Sequence, residues 1–207
     1  MLVFNSFLKK YGATTILDIP SFALADGLYW LKAENGAGKS TLLQAVSGIL
    51  PFKGSVLLDD LDLQKKKIYQ RQCINYAEAE PTFPEFMTGK DLIAFFIQTK
   101  KGNLQESLQL AKTLQLEHAL QREIGTYSSG MIKKLSLILV LIGTPEWILL
   151  DEPLITLDAE AVQIILSKIK ELYSKGISFI ITSHQAFSLA VPSQNLTIEN
   201  KTLQLVP

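Results

Sequence analysis

Two short stretches of this sequence carry residue types that could do chemistry on a phosphate. Residues 33–41 read AENGAGKST, with glycines at 36 and 38 ahead of a lysine and two hydroxyls. Gly36 and Gly38 permit backbone angles that turn successive N–H groups toward one point, and a helix starting there adds positive dipole. Lys39 supplies a point charge for the outer phosphates, and Ser40 a hydroxyl for Mg2+. Asn35, Ala37 and Thr41 complete the expected cradle. The usual pattern begins with glycine where this chain has Ala33. An ordinary negative φ there makes the methyl nearly free, whereas a positive φ would cost about 1 kcal/mol or more; the former is expected. The second stretch, WILLDEP, places Asp151 and Glu152 after four apolar residues. Two neighbouring carboxylates can divide labour, Asp151 holding Mg2+ directly or through water and Glu152 polarising an attacking water. By themselves the acids could equally cap the following helix, and the glycine loop could be an ordinary turn; together the two motifs favour the chemical reading.

Positioning these groups needs particular elements. GLYWLKA reads as a strand running into the glycine loop, and STLLQAVSG as the helix leaving it, closed at Gly48. WILL reads as a buried strand, which delivers its acids at a carboxyl end, where open α/β sheets bind ligands. LVFNSFLKKY and TILDIPSFALA read as earlier strands. TGKDLIAFFIQ and NLQESLQLAKTLQ show apolar residues at helical spacing and form a helical middle. A helix over 129–142, the strand WILLD, the helix AEAVQIILSKIKELYSKG, the strand ISFIITS and a closing pair around LTIEN and TLQLV follow. Strand alternating with helix argues for an α/β fold with a mostly parallel sheet.

With these motifs in this order, the chain resembles the ATP-binding subunits of ABC transporters over nearly its whole length, near the small ABC-2 or haem-exporter-like branch. The family's signature matches as YSSGM at 127–131, retaining Ser128 and Gly130. The resemblance implies a P-loop NTPase core, an N-terminal antiparallel β region and a helical subdomain of about 80–142 within one ATP-binding domain spanning 1–207. It implies that Tyr11 stacks on adenine, that Asp158 in TLD couples two sites across a dimer, and that His184 in ITSHQ contacts the γ-phosphate. The implied assembly is a homodimer or pseudo-dimer with ATP and Mg2+ sandwiched between chains: Lys39, Ser40, Thr41, Asp151, Glu152 and His184 come from one chain, Ser128 and Gly130 from the other. One family position differs. The glutamine expected ahead of the helical insert aligns with Ala79, between Glu78 and Glu80, so either one of those acids reaches in and adds negative charge near Mg2+, or a water takes its place and hydrolysis is slower.

Composition narrows the function classes. The chain has 207 residues, with twenty basic and twenty acidic side chains. A cancelled charge offers no general field for nucleic acid or an anionic membrane. Cys73 stands alone and the N-terminus lacks a basic-then-apolar leader, which suggests a reducing cytosolic setting. LSLILVLI at 135–142 is far short of the roughly 20 residues that span a bilayer. The leading expectation is an ATP-hydrolysing motor, cytoplasmic and held at the membrane by a separate integral subunit, with no nucleic acid partner. A soluble ATPase acting on nucleic acid or ribosomes, and a weakly hydrolysing regulatory module, are the alternatives. Phe83, Phe86, Phe95 and Phe96 are expected to be mostly core, one or two of them lining a groove for a helix of the membrane subunit.

Overall fold

The computed structural model describes residues 1–183 and 191–206. Two long strands, β1 (Leu2–Tyr11) and β2 (Thr14–Leu24), lead into β3 (Leu28–Leu31) and, across the glycine loop, helix α1 (Lys39–Val46). Next come β4 (Lys53–Leu58), the short β5 (Leu61–Asp62), α2 (Lys67–Cys73) and β6 (Ile74–Ala77). Helices α3 (Gly89–Lys100), α4 (Leu104–Thr113) and α5 (Ser129–Val140) precede β7 (Trp147–Leu150). Helix α6 (Ala159–Ser174) and strands β8 (Ser178–Thr182), β9 (Gln194–Glu199) and β10 (Thr202–Val206) close the chain. The helix expected over 129–142 thus stops two residues earlier.

Two sheets result. An antiparallel one has the order β2-β1-β4-β5; a mixed one has the order β10-β9-β3-β8-β7-β6. In the second, β9, β3, β8, β7 and β6 run parallel and only β10 is antiparallel. Its central strands are short apolar runs because both faces are covered. The two-residue period of a strand divides their side chains between two cores. Leu28, Trp30, Ile148, Leu150, Phe179 and Ile181 join the core beneath α3 to α6. Tyr29, Leu31, Trp147, Leu149 and Ile180 join the core against α1 and the antiparallel sheet. All four residues of β7 are fully buried. At about 1.5–3 kcal/mol per large apolar side chain, that strand contributes up to roughly 6–12 kcal/mol of burial, and a single carboxylate within it would undo the layer.

Helix starts follow local chemistry. The Thr88 hydroxyl accepts from the Asp91 N–H at 3.1 Å while the Asp91 carboxylate accepts from the Thr88 N–H at 3.1 Å, a reciprocal box that opens α3. Ser128 and Asp158 cap α5 and α6, accepting from the Met131 N–H at 3.3 Å and the Ala161 N–H at 2.8 Å. The aromatic expectation needs correction: Phe86 is 78% and Phe95 55% exposed, and only Phe83 and Phe96 pack partly on the core.

Candidate nucleotide site

β3 feeds the glycine loop and α1 receives it. Gly36 (φ 79°) and Gly38 (φ 104°) are both left-handed, and Ala33 is not among the positive-φ residues. The Ala33 methyl therefore sits in ordinary backbone, as expected. Gly38 is bound to be glycine twice over: a Cβ there would lie 3.0 Å from Ile16 and 3.2 Å from Leu17. Those β2 side chains press the loop against the antiparallel sheet. The Lys39 ammonium folds back over the loop, donating to the carbonyls of Ala33 (2.8 Å) and Glu34 (3.1 Å). It is 9% exposed, so its charge points into the cradle and not into bulk water. A phosphate, with charged oxygens, competes well against two neutral carbonyls for such a donor. Ser40 is exposed in the first turn of α1 with Thr41 half-buried behind it. Tyr11 pairs with Thr14 at the tip of the β1–β2 hairpin, two residues before Ile16, and its ring is 48% exposed. The Lys9 ammonium sits 4.7 Å from that ring.

The second stretch lies two strands away. β8 runs between β3 and β7, with Thr182 opposite Leu31 on one side and Leu150 opposite Ile181 on the other. At about 4.8 Å per strand, the loop and the acids are roughly 10 Å apart across the carboxyl ends, room for a phosphate and a hydrated cation. Thr182 fastens both acids. Its hydroxyl donates to Asp151 Oδ1 at 2.7 Å and accepts from the Glu152 N–H at 2.8 Å. The Asp151 N–H donates to the Ala77 carbonyl at 2.9 Å, tying the same point to β6. Asp151 is 2% and Thr182 0% exposed. Glu152 has φ 44°, a left-handed conformation that costs a non-glycine residue about 1 kcal/mol or more. Strand-end geometry holds it there. The Tyr76 hydroxyl, pushed up first by burial and then by Asp151 and Glu78, borders this corner.

A buried cation balances the acids. Lys133, in α5, is 2% exposed and donates to the carbonyls of Ala79 (2.8 Å) and Glu78 (3.2 Å). Burial pulls it down to about 8, against the opposing pull of Asp151, Glu152 and Glu80. The signature residues lie elsewhere on the surface. A Cβ on Gly130 would come within 3.3 Å of the Thr156 carbonyl, and Lys134 pairs with Asp158 at 2.8 Å, so the start of α5 and the 156–158 loop form one joined edge. The Lys134 bond holds the Asp158 carboxyl below the usual range, aided by the Ala161 N–H. Ser128 uses its hydroxyl as an acceptor in the cap, which leaves its proton available to an outside oxygen. His184 lies outside the described residues.

Sequence reasoning missed Thr182 and Lys133. A threonine ending an apolar strand beside the acid-bearing one was a usable signal for the first; a lysine on the apolar face of the helix IKKLSLILV was one for the second.

Oxygen donors few in number suit Mg2+, which keeps several waters and shares its shell with substrate phosphates. Ser40 and Asp151 are such a set, and no cluster of three or more metal-binding side chains occurs among the described residues. At the opposite end of β6, a cavity of about 490 Å3 opens between α2 and α3, lined by Ile49, Ile68, Phe95, Phe96, Arg71 and Lys100.

Comparison with known proteins agrees with this geometry. Residues 22–155 match the ABC transporter family. A cytochrome c biogenesis ATP-binding export protein of Legionella pneumophila is 33% identical over 182 residues, covering 86% of this chain and 90% of the relative. A linearmycin resistance ATP-binding protein of Bacillus subtilis is 27% identical, covering 89% of this chain and 61% of the relative. Among solved structures, the ATP-binding subunit of an ABC transporter superposes with a TM-score of 0.87 at 21% identity, over 98% of this chain and 88% of that one. A dimeric ATP-binding cassette holding ADP and phosphate superposes with a TM-score of 0.83 at 17% identity, over 99% and 97%. These likenesses establish the fold.

Proposed function

The chain belongs to the ABC transporter family, and from that premise we propose that it binds and hydrolyses ATP at the Lys39–Asp151–Glu152 corner to drive a separate membrane-spanning subunit. One observation carries the reading: a glycine loop with a buried lysine and a carboxylate pair clamped by Thr182 meet at the carboxyl ends of β3, β8 and β7.

In this reading the N–H groups of Asn35 to Ser40 and the start of α1 hold the phosphates, and Lys39 leaves its loop carbonyls to neutralise the outer ones. Ser40 and Asp151 would hold Mg2+, which would supply charge neutralisation to the phosphates. Glu152, held by its backbone bond to Thr182, orients and deprotonates the attacking water. His184 contacts the terminal phosphate, Thr41 adds a further contact to the nucleotide, and Tyr11 stacks on the base. A second chain closes the site with the Ser128 hydroxyl, the Gly130 backbone and the start of α5, while Asp158 links the two sites. Closure then depends on a terminal phosphate charge that hydrolysis removes.

No helix among the described residues is long and apolar enough to cross a membrane. In this reading the mechanical load belongs to a membrane-spanning partner, and the cavity bordered by exposed Ile68 and Phe95 suits a helix of that partner. Relatives at this identity serve export and, in an Fe(3+) import protein of Pectobacterium atrosepticum, import, so the cargo is not carried over from them. The test is light scattering of Glu152→Gln with MgATP, expected to give a dimer that Ser128→Ala or Lys39→Ala weakens. A monomer at all nucleotide concentrations would overturn the sandwich.

A further inference from the structure

Lys133 is not required by the fold alone. An apolar side chain three residues after Gly130 would fill the same place in α5 without the cost of desolvating an ammonium. Instead the chain buries a charge to 2% exposure and aims it at three main-chain oxygens: Ala79 at 2.8 Å, Glu78 at 3.2 Å and, more loosely, Asp151 at 3.5 Å. The carboxylates whose charge acts on it are those of Asp151 and Glu152 from the end of β7 and Glu80 from the loop. An ammonium has three N–H bonds, and here they join one loop to one strand end. The side chain at 79 is a methyl group and can donate nothing. Next to the Asp151 N–H bond to the Ala77 carbonyl, residues 78 and 79 are held to the site by their own carbonyls, through Lys133.

Resting on the ATPase reading above, we propose that Lys133 is a positioning residue that couples the 78–80 loop to α5 and to the Asp151–Glu152 pair, so that loop movement reaches the acids through its ammonium instead of through a side chain at 79. The loop enters the helical segment that also borders the cavity between α2 and α3. A partner seated there would pull on this loop, and Lys133 stands between that pull and the carboxylates.

The experiment compares Lys133→Met and Lys133→Arg in the full chain, each with and without Ala79→Gln, beside Glu152→Gln. It measures kcat and KM for MgATP and, without nucleotide, hydrogen exchange over residues 76–80. For Lys133→Met, kcat should fall about tenfold or more while KM stays within about threefold, and the 78–80 amides should exchange faster. Lys133→Arg should recover most of kcat. Ala79→Gln should raise kcat with Lys133 present but by less than about twofold with Met there, because the new side chain would have lost its anchored backbone. If Lys133→Met does not fold, Lys133→Gln, whose shorter side chain stops one bond short of the carbonyls, carries the same expectation. An unchanged kcat, or kcat and KM worsening together, would overturn the proposal while leaving the ATPase reading intact. Wild type no faster than Glu152→Gln would instead bring down the ATPase reading, and this inference with it.

Discussion

Replacing Thr182 by valine keeps its shape and removes one oxygen. That oxygen donates to Asp151 Oδ1 at 2.7 Å and accepts from the Glu152 N–H at 2.8 Å, in a place with no exposure. A hydrogen bond to a charged group contributes about 1.5–3 kcal/mol and one to a neutral amide about 0.5–1.5 kcal/mol. The added methyl returns about 0.8 kcal/mol of burial, leaving a net loss of roughly 1–4 kcal/mol, centred on about 2–3 kcal/mol. For a domain of this size, each kcal/mol shifts the unfolding midpoint by about 2–4 °C, so Thr182→Val should melt roughly 4–12 °C lower. Thr182→Ser, which keeps the hydroxyl and loses a buried methyl, should lose about 1 kcal/mol. Urea unfolding followed by the fluorescence of buried Trp147 reads the difference. Because the same oxygen aims both acids, Thr182→Val should also lower kcat for ATP tenfold or more with little change in KM. A valine variant within about 0.5 kcal/mol of wild type, or no weaker than the serine variant, would refute the clamp.

Other expectations follow from single positions. Gly38→Ala, which forces a methyl to 3.0 Å from Ile16 at φ 104°, should lower MgATP affinity more than tenfold by equilibrium dialysis, whereas Ala33→Gly should leave it within about threefold. Ala79→Gln restores the amide that the family carries at this position and should raise steady-state kcat about two- to tenfold. The Cys73 thiol is pushed up to about 12, mainly by burial and then by Glu146. It stays protonated as pH rises through the ordinary thiol range, while the unfolded chain gives up its proton there, so this group's stabilising share is lost above that range. Native Cys73 should therefore react with iodoacetamide at pH 8 at least about tenfold more slowly than in urea.

Much of the fold was legible because its signals were local. The run WILL read as a buried strand and is one, buried on both faces, and the glycine loop does join strand to helix. The β4–β5 hairpin was not read, since its turn is Asp59-Asp60, both left-handed (φ 48° and 64°), without the glycine that usually marks such a turn. Helix α2, in KKKIYQRQC, was missed because it buries only Gln70 and shows no apolar stripe. In the site, residues on loops and strand ends were readable by type and order. Thr182 and Lys133 were not, because their value lies in what the sheet brings beside them: β8 sets Thr182 against Asp151, and α5 sets Lys133 against a loop more than fifty residues earlier. The same holds for Phe86 and Phe95, whose aromatic character suggested core but whose layer leaves them outside.

The most direct test of the central claim is steady-state MgATP hydrolysis by wild type and Glu152→Gln over a range of protein concentrations. Two chains sharing each site should give a rate per chain that rises with concentration, and Glu152→Gln should abolish it while still binding ATP. A wild-type rate no greater than that of Glu152→Gln, or one independent of concentration down to where the chain is monomeric, would contradict a shared site that depends on this carboxylate.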